Sequence, residues 1–234
     1  ADDYLTKPFD PGELHARLRA GRRILALQGA LISARDALRF QATHDPLTGL
    51  WNRLASIAAM RRELSRSQRQ KESLGVIMAD LDHFKAVNDN YGHLSGDVVL
   101  RGTASRIASS VRAYDTVGRY GGEEFILVLP ESDLDQALHQ AERIRESFEK
   151  EPFDLPEALV PVTLSLGVAS LKVRDAVDPD GLVWAADQAL YRAKGRGRNC
   201  VEPANEAEIM KCFSPSAGIL PARRRRRNGG RAAA

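Results

Sequence analysis

LGVIMADLDHFKAVND, residues 74–89, decides the fold class. Its first six residues form an apolar run of strand length, the signature of a strand buried within a sheet. The run stops at an acid, Asp80, and a second acid, Asp82, follows two residues later. A short helix is expected to begin near His83, with Asp82 as its N-cap. Outward from this stretch the apolar period switches back and forth. Helical spacing predicts helices over 53–70, 96–112, 134–149 and 181–194. Apolar runs predict strands over 74–80, 125–129, 161–170 and around 198–202. A further strand before Gly121 would form a hairpin with 125–129. Long helices between strands imply an α/β (α+β) domain with helices packed on a central sheet.

Four segments are expected. Residues 1–12, ADDYLTKPFDPG, read as a strand end, a turn and a helix start. Residues 13–43 read as one long helix, residues 44–202 as the main domain, and residues 203–234 as a disordered tail with neither helical nor strand period. In the long helix Ile24, Leu27, Leu31, Ala34 and Leu38 are spaced as a coiled-coil seam over about two heptads. The same pattern suits an amphipathic helix lying on its own domain. The formal net charge of +3 belongs to residues 211–234, where Lys211, Arg223 to Arg227 and Arg231 stand without an acid; residues 1–210 hold 27 basic against 31 acidic residues. A mildly acidic body argues against a nucleic-acid surface. No run approaches the ~20 apolar residues of a membrane helix. With no basic, apolar leader at the start and only two cysteines, a reducing cytoplasm is the expected setting.

The chemistry-bearing residues cluster in a few stretches. Asp80 ends a strand, where open sheets place ligands, and a carboxylate there suits a hard cation such as Mg²⁺. In RYGGEEFILVL, residues 119–129, Gly121 and Gly122 permit a tight turn and a close backbone approach to a ligand. Glu123 and Glu124 follow; adjacent carboxylates on a strand point to opposite faces, so one of them can join Asp80 in a split pair. In FKAVNDNYGHLSGD, Asn88 and Asp97 could read a guanine edge, the amide at O6 or N7 and the carboxylate at N1–H and N2–H₂; each could equally cap a helix. Lys194 and Arg198 end a helix and start a turn, where they answer the helix dipole or hold a triphosphate.

These residues resemble the GGDEF-domain diguanylate cyclases. GGEEF at 121–125 is similar to the family's defining motif, with Glu at its third position. HDPLTGLWNR (44–53), DLDHFKAVNDNYGHLSGD (80–97), SLGVA (165–169) and DQALYRAKGRGRN (187–199) follow the family in order. The resemblance implies a polymerase-palm-like, nucleotidyl-cyclase-like fold and a nucleotidyltransferase that condenses two GTP into 3′,5′-cyclic di-GMP with loss of two pyrophosphates. It implies Asp80, Glu123 and the backbone carbonyl of Leu81 as ligands of Mg²⁺ (or Mn²⁺), and Glu123 as proton acceptor for the 3′-hydroxyl. It implies Asn88 and Asp97 as guanine readers, and Lys85, His93, Gly121, Gly122, Glu124, Lys194 and Arg198 near substrate. Because each domain holds one guanine site, it implies a homodimer, with the long helix as the coiled coil that brings two half-sites together.

Residues 1–20 resemble the end of a response-regulator receiver domain, with Lys7 at the family lysine and Lys7–Pro8 a cis candidate, which leaves 21–43 as linker helix. Arg112 and Asp115 form an RxxD that resembles the family's product-inhibition site, where Arg and Asp together hold cyclic di-GMP. The competing reading is a catalytically inactive domain that binds cyclic di-GMP or GTP, or serves as a dimerisation scaffold. Nucleic-acid binding through Arg223 to Arg227 is not expected, since no aromatics are interleaved there; nor is a membrane partner.

Overall fold

From strand β2 (Ser73–Leu81), Ile77, Ala79 and Leu81 point to one face of a sheet and Leu74, Val76 and Met78 to the other, and all six are at most 1% exposed. A strand buried this way needs cover on both faces. One face is covered by helices α3 (Phe84–Ser110) and α4 (Leu134–Lys150), through Val99, Ala104, Ile107, Ile144 and Phe148. The other is covered by α2 (Arg53–Gln70) and α5 (Pro179–Gly195), through Met60, Leu64, Leu182, Ala186 and Leu190.

The computed structural model describes residues 11–156, 158–173 and 177–213. The central sheet runs β1 (Trp51–Asn52), β3 (Thr116–Gly121), β4 (Glu124–Pro130), β2, β7 (Leu164–Lys172), β8 (Val201–Pro203). β3, β4, β2 and β7 pair antiparallel in turn; β1 and β8 join the two edges in parallel. A separate two-stranded ribbon pairs β5 (Phe153–Asp154) with β6 (Leu159–Val160). α5 lies directly on β7: a Cβ on Gly167 would stand 2.1 Å from the Leu190 amide nitrogen. That approach fixes the helix whose last turn carries Lys194.

The short helix expected near His83 and the one expected over 96–112 are the two halves of α3, which meet at Gly92, whose non-helical backbone (φ 80°, ψ 164°) suits only glycine. One expectation about the elements is corrected. Residues 206–211, expected to belong to a disordered tail, form helix α6 (Glu206–Lys211). Asn205 caps it in a reciprocal box with Glu208, Arg192 pairs with Glu208, and Cys212 is buried under the α2/α5 face. Six residues are too few to show a helical period. The Arg223 to Arg227 run, Lys7 and the Lys7–Pro8 bond lie outside the described residues.

The chain divides after Thr43 into two units. The first holds α1 (Pro11–Thr43), 33 residues long, opened by proline at its first position. None of its residues is buried, and Ile24, Leu27, Leu31 and Leu38 of the seam are each more than half exposed. Among the described residues no helix is long and apolar enough to cross a membrane.

Candidate active site at the ends of β2 and β4

Register brings the acids together. Asp80 pairs with Glu124 across β2 and β4, and with Ser165 across β2 and β7. Residues paired in an antiparallel ladder share a face, so Asp80 and Glu124 both continue the α2/α5 side. Glu123 was expected on the strand, facing away from Glu124. It occupies the hairpin turn instead, where its carbonyl accepts the Leu81 amide at 3.3 Å. Both glutamates therefore act on Asp80. Burial pushes the Asp80 carboxyl up to about 6; Lys194 draws it down, and the charges of Glu123 and Glu124 add to the rise. Asp80 is 5% exposed, and its partner is the Lys194 ammonium at 2.5 Å, delivered by the last turn of α5. A buried carboxylate crowded by two more acids is a site that wants positive charge.

The glycine turn is braced from outside. Gly122 takes φ +53°, and the ladder of β3 and β4 shifts register between Arg119 and Gly121. Arg119 Nε donates to the Gly122 carbonyl at 2.9 Å. Its Nη1 donates to both carboxylate oxygens of Asp45, at 3.1 and 3.2 Å.

Asn88 and Asp97 stand on opposite sides of the Gly92 bend, both half-buried. The Asn88 amide nitrogen donates to Phe84 O at 3.4 Å, and a Cβ on Gly96 would stand 2.1 Å from Asn88 Oδ1. The carboxamide thus lies in the space that Gly96 leaves. Lys85 pairs with Asp89 one turn on, and His93 and Arg198 are exposed.

Asp82 does not cap a helix. The N-cap position of α3 is His83, in a left-handed conformation with no side-chain cap bond. The Asp82 carboxylate accepts from Thr163 Oγ1 (2.8 Å), Ser165 Oγ (2.7 Å) and the Asn199 amide (3.0 Å).

The diguanylate cyclase GGDEF-domain family matches residues 42–200. The chain belongs to this family. It is 38% identical to the response regulator PleD of Caulobacter vibrioides over 202 residues, 86% of this chain and 44% of PleD. The chain therefore spans less than half the length of that curated relative. Its backbone matches the coiled coil and GGDEF domain of DgcB from Caulobacter crescentus, solved in complex with c-di-GMP, at a TM-score of 0.73 and 30% identity, over 82% of this chain and 99% of that one. It also matches the active GGEEF domain of a diguanylate cyclase from Vibrio cholerae at a TM-score of 0.62 and 37% identity, over 66% of this chain and 97% of that one.

At the far end of α3 the GGDEF domain holds a second feature. The Arg112 amide donates to Asp115 Oδ2 at 2.8 Å, and the Arg112 guanidinium meets the Tyr114 hydroxyl at 2.9 Å. Asp115 Oδ1 is buried without a hydrogen-bond partner, and burial pushes this carboxyl up. Arg112 lines a cavity of about 860 Å³ together with His139, Gln140 and Arg143. Sequence reasoning missed Arg143, which belongs to α4 and shares no spacing with the RxxD. It also missed the Asp45–Arg119 pair and the space at Gly96, although all three residues lie within motifs it quoted.

Proposed function

We propose that this GGDEF domain is a diguanylate cyclase. Two GTP molecules condense: each 3′-hydroxyl attacks the α-phosphorus of the other nucleotide, the bond to pyrophosphate breaks, and two pyrophosphates leave with 3′,5′-cyclic di-GMP. The observation that carries this reading is Asp80, a buried carboxylate at a strand end, beside Glu123 on a glycine turn and Lys194 on a helix end. Glu123 takes the hydroxyl proton, Asn88 and Asp97 hold the guanine, and Lys194 and Arg198 hold phosphates.

The donor set fits a hard cation, since Asp80, Glu123 and the Leu81 carbonyl offer oxygen alone. Among the described residues no group of three His, Cys, Asp or Glu side chains forms a ready cage; Mg²⁺ needs none, because it keeps waters and phosphate oxygens. When bound, Mg²⁺ (or Mn²⁺) neutralises phosphate charge and lowers the hydroxyl pKa. The Lys194 ammonium adds positive charge beside Asp80.

One domain offers one guanine site, so the reaction needs two chains. The exposed seam of α1 supports a homodimer through a coiled coil. The match to a response regulator across 202 residues supports an output role in two-component signalling, with residues 1–20 as the receiver remnant. The cavity at Arg112 supports inhibition by product.

Incubation with GTP and Mg²⁺, followed by mass spectrometry, tests the reading. Wild type is expected to make cyclic di-GMP, and Glu123→Gln to bind GTP yet make none. Full activity in Glu123→Gln would remove that residue from the mechanism; a wild type that binds GTP and yields no product would leave a nucleotide receptor.

A further inference from the structure

Three consecutive residues after α5 have positive φ: Gly197 at 111°, Arg198 at 69° and Asn199 at 45°. Two of them are unremarkable. The Arg198 amide donates to Ala193 O at 3.1 Å, a helix ending that calls for a left-handed residue just before it, and Gly197 supplies one without strain. Asparagine tolerates the same region. Arg198 has no such tolerance, because its Cβ crowds the neighbouring carbonyl. It is also exposed, so the fold gains no burial from holding it there. A strained conformation of this kind persists where its surroundings over-determine it, and such strain gathers at ligand clamps.

Those surroundings belong to the site. Asn199 is fixed from both sides. Its amide donates to Asp82 Oδ2 at 3.0 Å, its Oδ1 accepts from Arg145 Nη1 at 3.0 Å, and its Nδ2 donates to Glu149 Oε1 at 2.9 Å. Asp82 is 4% exposed and immobilised by the Thr163 and Ser165 hydroxyls. Two residues earlier on the same strand end, Asp80 holds Lys194. The end of β2 therefore grips the segment 194–199 at its two extremities, and Arg198 lies between the grips.

We propose that Asp82 and Asn199 are positioning residues: they hold Arg198 in its left-handed conformation so that its guanidinium meets the phosphates of bound GTP. The inference rests on the cyclase reading for the identity of the ligand. It adds that the second acid of the DLD stretch acts through a turn 117 residues away in the chain.

The test uses the full chain and a non-hydrolysable GTP analogue with Mg²⁺, so that affinity is read without turnover. Hydrogen exchange of the Asn199 amide reports on the grip itself. Asp82→Ala is expected to speed that exchange and to weaken analogue binding by about tenfold, while Asp82→Asn, which keeps an oxygen acceptor, recovers most of both. Should Asp82→Ala fail to fold, Asn199→Gly keeps the backbone conformation and the amide donor, loses the bonds to Arg145 and Glu149, and is expected to weaken binding by about threefold. Arg198→Gly and Arg198→Ala should lose affinity equally, but only the glycine variant should raise the melting temperature, by about 1–3 °C, because it relieves the strain.

Unchanged affinity in Asp82→Ala with a loosened Asn199 amide would overturn the positioning role. So would an Arg198→Gly variant that melts no higher than Arg198→Ala. A wild type that binds the analogue but makes no cyclic di-GMP from GTP would sink the cyclase reading alone, since the affinity and exchange results stand apart from it.

Discussion

Arg119 reaches across 74 residues of sequence to take both carboxylate oxygens of Asp45, and with its Nε it holds the carbonyl of Gly122. One planar guanidinium thus ties the first residues of the domain to the turn that carries Glu123. The fork is suited to this: its donors diverge in a fixed plane, which a lysine cannot reproduce. Asp45 is itself a node. It accepts from the Thr48 amide (2.9 Å) and hydroxyl (2.7 Å), its own amide donates to Leu50 O (2.8 Å), and its carbonyl accepts from Gly49 N (2.9 Å).

Removing this node should cost stability in a pH-dependent way. Burial alone would raise the Asp45 carboxyl, but the two Thr48 hydrogen bonds and the Arg119 charge outweigh it and hold the group below its ordinary value of 3.8. A carboxylate with a depressed pKa stabilises the fold at pH values above 3.8, and that contribution fades as the pH falls through the lowered folded-state value. Asp45→Ala is therefore expected to lose about 2 kcal/mol near neutrality, by urea unfolding, with the gap to wild type closing below about pH 4. A gap that stays constant down to pH 3 would show that the ionised form contributes nothing. Arg119→Lys should lose activity out of proportion to stability, since the charge remains while the Gly122 carbonyl loses its donor.

Gly96 offers a separate handle on the proposed guanine site. Its missing Cβ leaves the space in which Asn88 Oδ1 lies, and the obstructing atom is the tip of a side chain, not backbone. Gly96→Ala should therefore fold, helped by the better helix propensity of alanine, while the Asn88 carboxamide is displaced. The expected result is a KM for GTP raised by about tenfold and a weakened preference for GTP over ATP, with the melting temperature within a few degrees of wild type. Steady-state rates with both nucleotides check this. Unaltered selectivity would mean that Asn88 does not read the base.

The parts of the fold legible in the sequence are those written in local periods. The β2 run, the glycine hairpin and the helices at 53–70, 134–149 and 181–194 all show their spacing within a dozen residues. Asp80, proposed for the site, stood out for the same reason: a carboxylate ending an apolar run is a local anomaly. Roles set by distant partners did not. Asp82 looked like a helix cap because its sequence neighbours allowed it, yet its partners lie 81, 83 and 117 residues away. Lys194 could be read as answering its helix dipole, and only the sheet register brings it to Asp80. The strain at Arg198 leaves no trace in the sequence, since nothing in GRGRN marks a left-handed arginine.

The cavity at the far end of α3 makes a definite prediction about inhibition by product. Arg112, just past the end of α3, and Arg143, on α4, both line it. Two arginines lining one cavity suit phosphates, which cyclic di-GMP carries. Arg112→Ala and Arg143→Ala are each expected to raise the inhibition constant for cyclic di-GMP by about tenfold or more while initial turnover of GTP remains, because neither residue touches the acids at β2. The double variant should fall short of the product of the single effects, as expected when both arginines grip one ligand. Initial rates measured against added cyclic di-GMP, with pyrophosphate release as the readout, decide the matter. Inhibition unchanged in both variants would show that product acts elsewhere; loss of turnover along with inhibition would show that this cavity supports the catalytic fold and does not regulate it.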